Sequence, residues 1–174
     1  VGARWPKEEE KIMKRHSEED RALWDAVLKS EAAFISARGA FIAQAQDRVG
    51  VIVEGLKSRP QREIALGVLA LMMRSEKHAV LDSLVRLSSV GHREITFCRE
   101  AILSMPRKWV VANIEESAEP LLQGGNHEEY RRLLELFIEL DRELTRKLAL
   151  RALQSKDADI REAGMDFIEA LENE

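Results

Sequence analysis

A recurring spacing constrains this chain more than any other feature of it. Leu56, Leu87, Leu122 and Leu153 fall 31, 35 and 31 residues apart, and 8, 8, 8 and 7 residues after them come Ile64, Ile95, Tyr130 and Ile160. Inside each couple lies a helix-breaking or polar stretch: Ser58-Arg59-Pro60, Ser88-Ser89-Val90-Gly91, Gln123-Gly124-Gly125-Asn126 and Ser155-Lys156-Asp157. A helix end, a tight turn and a helix start repeated every thirty-odd residues mark an array of stacked units.

The second helix of each unit tests this position by position. Three residues past the anchors Ile64, Ile95, Tyr130 and Ile160 stand Gly67, Cys98, Leu133 and Ala163. Seven on are Leu71, Ile102, Phe137 and Phe167, and eight on are Met72, Leu103, Ile138 and Ile168. All twelve are apolar or small, as a face buried against neighbouring units requires. Such a helix cannot hide its stripe alone, so the units must stack.

The rest of the chain agrees with an all-α fold. Only 5% of residues are aromatic, and no alternating β-branched run exceeds Val51-Ile52-Val53. Helices are predicted over roughly 61–73, 76–89, 92–105, 107–122, 127–140, 142–154 and 158–172, with short connections that make neighbours nearly antiparallel. Pro120 is expected to stop or bend its helix before the last turn. Upstream, Ser17 three residues ahead of Asp20 forms a loose capping box. It opens a helix with Trp24, Val27, Leu28, Phe34 and Ile35 on one stripe, which Gly39 interrupts before a second helix over about 40–57. Residues 1–17 read as a charged tail or short helix, 18–57 as a capping helix and the first repeat helix, and 58–174 as the repeats proper.

Composition narrows the class further. With 45% hydrophobic and 33% charged residues the chain has material for a core. A net charge of −4 and a pI near 5.7 weigh against nucleic acid as partner, because phosphate contacts need a basic surface. The single cysteine, Cys98, cannot form an internal disulfide, so a reducing, cytoplasmic setting fits. With Lys7-Glu8-Glu9-Glu10 where an apolar stretch would stand, a signal peptide is not expected here, and no apolar run approaches the ~18 residues of a membrane span. The first residue is not Met, which is expected of a segment of a longer protein.

On these residues the chain resembles the HEAT-like and armadillo-like family of α-solenoids over about 40–172. The closest likeness is Asp141 to Leu171, with Leu148, Leu150, Leu153, the turn Ser155-Lys156-Asp157, then Asp159-Ile160-Arg161-Glu162-Ala163 and Phe167-Ile168. The three earlier units lack the Asp-x-Ile-Arg run, and the third is four residues longer. Tetratricopeptide repeats hold a stricter period and a signature absent here. The resemblance implies a right-handed α-α superhelix of about four helical pairs plus an N-terminal capping helix. It also implies pairing of Asp157 or Asp159 with Arg161, and second helices lining a concave side.

Signatures of catalysis are missing from the sequence. It has no Gly-rich phosphate loop, no paired-Cys zinc spacing and no His-Glu-x-x-His, so no catalytic residue, metal or cofactor is expected. His92 and His127 read as solvated first-turn residues, and Cys98 as a small buried hydrophobe. Arg142, Arg146, Lys147 and Arg151 cluster on one helix, where Glu143 and Lys147 at i,i+4 suggest local pairing rather than a phosphate stripe. Trp5, Trp24 and Trp109 lie off the second helices, so Trp109 is expected to pack in the core or as a lid.

One surface is legible. Positions two, five and nine past each anchor lie opposite the expected stripe: Leu66, Leu69 and Met73; Phe97, Glu100 and Ser104; Arg132, Glu135 and Glu139; Glu162, Met165 and Glu169. By the resemblance this row faces the groove, apolar at one end and acidic at the other. The function expected is a non-enzymatic scaffold or protein-interaction module whose groove takes another protein's peptide or helix, in a chain that is part of a larger regulatory protein. The residues expected to carry it are Leu66, Leu69, Met73, Phe97, Glu100, Arg132, Glu135, Glu139, Glu162 and Glu169. Alternatively the leading helix, through Trp24, Val27, Leu28 and Ile35, folds over the apolar end as a cap. The family likeness also allows a nucleic-acid-binding HEAT-like enzyme such as an alkylbase DNA glycosylase. The oligomeric state is left open.

Overall fold

The computed structural model describes residues 17–173, and every regular element among them is an α-helix. Two compact units divide the chain, the first ending at Gln46 and the second beginning at Asp47. The expectation for residues 1–16 lies outside the described residues.

The first unit contributes α1 (Glu18–Gln44). The Asp20 amide donates to Ser17 Oγ at 3.0 Å, and the Ser17 amide donates to Asp20 Oδ2 at 3.1 Å, the reciprocal cap expected from the sequence. Gly39 does not interrupt the helix. A lone glycine costs a helix only about 1 kcal/mol relative to alanine, too little to break a run with intact neighbours. The break falls instead at Ala45–Asp47, where Asp47 accepts from the Gly50 amide at 2.8 Å and starts a new helix. No residue of α1 is buried.

The second unit begins with α2 (Arg48–Lys57), α3 (Arg62–Leu69), α4 (Arg74–His78) and α5 (Leu81–Ser88). It continues with α6 (Ile95–Leu103), α7 (Arg107–Gly124), α8 (His127–Leu140), α9 (Arg142–Ala152) and α10 (Ala158–Asn173). Two predicted helices are broken differently. The run expected to reach residue 73 stops at Leu69, and Met73 is extended, its amide donating to Glu76 Oε2 at 3.1 Å. That bond starts α4, so the helix expected over 76–89 is split into α4 and α5. Conversely, α7 continues through Pro120 to Gly124. The only helical acceptor that proline deprives is the carbonyl of exposed Glu116, which water can satisfy.

Consecutive helices pack as pairs: α2 on α3, α5 on α6, α8 on α9 and α9 on α10. Helices further apart in sequence also meet, with α3 on α6, α5 on α7 and α8 on α10. The interior is continuous through Leu56, Leu84, Ile102, Ile114, Leu133, Phe137 and Ala149, all nearly or fully sealed from solvent. Each large aliphatic side chain so buried contributes about 2 kcal/mol of transfer free energy.

The interior stripe of α6, α8 and α10 follows the expected phase except at Leu103, which is exposed. Cys98 and Ile102 are buried on α6; Tyr130, Leu133 and Phe137 on α8; Ile160 and Ala163 on α10. On α3 it runs one residue late. Ala65, Val68 and Leu69 are buried, while Ile64 and Leu71 are 53% and 54% exposed; Met72, just past the helix, is buried as expected. Gly67 explains the rotation: in the expected phase it would face inward with no side chain to bury, whereas one step on the interior receives Val68. The residue of α3 buried in the manner of Tyr130 and Ile160 is therefore Ala65, whereas Ile95 is half-buried.

Candidate partner-binding surface

Polar side chains tie helices together at nearly the same separation. Arg48 pairs with Glu76 at 2.7 Å, Ser117 donates to Asp82 at 2.6 Å, and Lys147 meets Glu115 at 2.6 Å. Arg151 holds Glu119 through both guanidinium nitrogens. On the other helices, Arg62 meets Glu94 at 3.5 Å, Arg99 meets Glu135 at 2.7 Å, and Arg131 meets Asp166 at 2.7 Å. The residue numbers of these partners differ by 28 to 36.

These pairs revise several expectations. Lys147 and Arg151 bond across to α7 rather than along α9, so Glu143 is not the partner of Lys147, and two cations of the basic cluster are held by α7 carboxylates. The Arg151 hydrogen bonds, followed by one from Gln123, draw the Glu119 carboxyl down to about 2. Arg161 donates to the backbone oxygens of Ser155 and Lys156 at 2.9 and 2.8 Å instead of pairing with a carboxylate. Asp157 is occupied as a cap, accepting from the Asp159 amide at 2.9 Å. His92 is not a solvated residue. Its Nδ1 accepts from the Glu94 amide at 3.1 Å, leaving Nε2 to donate to the Leu87 oxygen at 2.8 Å. His127 is half exposed, 3.9 Å from Asp159.

Of the ten residues expected to bind a partner, two are interior. Leu66 and Leu69 are 7% and 0% exposed, a direct consequence of the one-residue rotation of α3. Met73 and Phe97 remain open at 64% and 52%. Glu135 is engaged by Arg99, and Arg132 is half-buried, its Nη2 within 2.9 Å of where a Cβ at Gly91 would stand. Glu100, Glu139, Glu162 and Glu169 are exposed and make no ion pair among the described residues. Met165 lies between the last two and is also open. The residues missed were Ile64 and Leu71, which take the exposed face of α3 that Leu66 and Leu69 were expected to hold. Gly67 in the interior register was the available signal.

Burial pushes the Cys98 thiol up to about 11, so it stays protonated near neutrality. Trp109 stacks on His78, with ring centres 3.6 Å apart and planes 6° from parallel, at the wall of a cleft of about 500 Å³ shared with Asp82, Asn113 and Ser117. Among the described residues no three His, Cys, Asp or Glu side chains converge as a metal site, and no helix is long and apolar enough to cross a membrane. No protein-family model matches this sequence, and neither a curated protein nor a solved structure is similar to it.

Proposed function

We propose that this chain is a non-enzymatic interaction module, a HEAT-like α-solenoid whose second helices α3, α6, α8 and α10 present a groove to a peptide or helix of another protein. The ion pairs at near-repeat separation support the stacked arrangement, since the same helices meet again one unit on. The observation that carries the functional reading is an asymmetry. Glu63, Glu135 and Asp166 pair with arginines of other units, whereas Glu100, Glu139, Glu162 and Glu169 stand open. At the other end of the row, Ile64, Leu71, Met73 and Phe97 are exposed apolar side chains. A ligand with an apolar anchor followed by Lys or Arg matches both ends. Leu66 and Leu69 have no part in it, being core.

A panel of fluorescein-labelled amphipathic helical peptides, basic and acidic, tests the reading by polarisation. Basic peptides should bind, with loss of about tenfold for Phe97→Asp and for the pair Glu162→Lys and Glu169→Lys. Equal binding of acidic peptides, or indifference to both variants while the fold is intact, refutes the groove.

A further inference from the structure

The exposed face of α1 is self-complementary, and we propose that it docks antiparallel on α1 of a second copy of this chain. The face carries two heptad-spaced apolar rows, Val27 and Phe34 in one and Leu28 and Ile35 in the other, with Trp24, Glu31 and Arg38 on the line between them. Val27, Leu28 and Ile35 are 54%, 51% and 50% exposed, and Phe34 is 38% exposed. A contiguous apolar strip of this kind on a helix with no buried residue is an association surface.

Charge selects the occupant and its direction. With a twofold axis between residues 34 and 35, Phe34 meets Phe34 of the second copy and Ile35 meets Ile35. One heptad out on either side, Val27 meets the half-buried Phe41 and Leu28 meets the half-buried Ile42. The same axis sets Glu31 against Arg38 of the second copy, and by symmetry this happens twice. A parallel, in-register pairing would instead set Glu31 against Glu31 and Arg38 against Arg38, so it is opposed at both positions. Arg38 is already held toward the seam, its guanidinium carbon 5.4 Å from the Phe34 ring centre. The opposite face carries Arg21, Asp25 and Lys29 at i,i+4 steps, and so remains a solvated surface.

Sedimentation equilibrium of the full chain tests this, with helicity by circular dichroism as the folding control. The chain should be a dimer at micromolar concentrations. Glu31→Arg and Arg38→Glu should each weaken the dimer about tenfold by creating two like-charge contacts. The double swap should restore affinity to within about threefold, because each new charge again meets its opposite. A monomer up to about 100 µM, as would follow if this face folded over the chain's own repeats, overturns the proposal; that concentration is weaker than a specific dimer of this kind warrants. A dimer indifferent to the single swaps overturns it equally.

Discussion

Arg99 Nη2 donates both to Glu135 Oε2 at 2.7 Å and to the backbone oxygen of Arg132 at 3.1 Å, fastening α6 to α8 at two points one turn apart. The guanidinium is mostly buried, and its Nε has no protein partner among the described residues. Arg99→Ala should therefore cost about 2 kcal/mol, through lost charge-assisted bonds and an exposed seam. Glu135→Gln keeps the backbone acceptor and a weaker side-chain one, and should cost under about 1 kcal/mol. Urea midpoints at unchanged slope measure both, and equal losses would contradict the two-point fastening.

The rotated phase of α3 separates two leucine-like positions that the sequence does not rank. Leu69→Asp places a carboxylate in the sealed interior and should cost more than about 4 kcal/mol, enough to abolish the cooperative melt. Ile64→Asp, on the open face, should shift stability by under about 1 kcal/mol. Thermal unfolding followed by circular dichroism distinguishes them. Reversal of the order would restore the original phase.

The Tyr130 phenol oxygen is buried with no partner among the described residues, and burial raises the phenol pKa. Removing an unsatisfied hydroxyl relieves a desolvation penalty, so Tyr130→Phe should be neutral or stabilising by up to about 1 kcal/mol. A loss above that size would mean the hydroxyl has a partner in solution.

Glu119 supplies a pH signature. Its pKa is depressed from 4.5 to about 2 by Arg151, so the stability it contributes is present above pH 4.5 and fades as the pH falls toward 2. Glu119→Gln should flatten the acid limb of a stability-versus-pH curve in that window and leave the neutral slope unchanged. An unaltered acid limb would show that the pair is open in solution.

Cys98 is fully buried, with its thiol raised to about 11. Iodoacetamide at pH 8 should leave it unmodified for hours in the native protein and label it promptly in guanidinium. Prompt native labelling, read by intact mass, would indicate opening of α6.

What could be read in advance, and what could not, follows from the range of the interactions involved. Tyr130, Leu133, Phe137 and Leu140 announce their buried face because helical period and apolarity coincide over nearly three turns of α8. Asn126 and Asp141 mark their helix starts through side-chain oxygens that accept from amides two or three residues on. In the eight residues of α3 the period is sampled barely twice. A shift of one residue there leaves the pattern almost as apolar, and the candidate groove lost Leu66 and Leu69 on that margin.

The partners of the charges lay further out of reach. Glu143 is adjacent to Lys147 on α9, but the bond goes to Glu115, and Arg161 Nη1 donates to two carbonyls of its own turn. Local spacing supplies several acceptors of similar energy, and which one wins is set by where the neighbouring helix lies. The amino-acid order thus carried the all-helical class and most helix starts, since these depend on backbone hydrogen bonding and burial within a few turns. Helix rotation, which glutamates stay open and which arginines are occupied were settled by packing between distant segments, because those energies differ by only about a kilocalorie until the neighbours are in place.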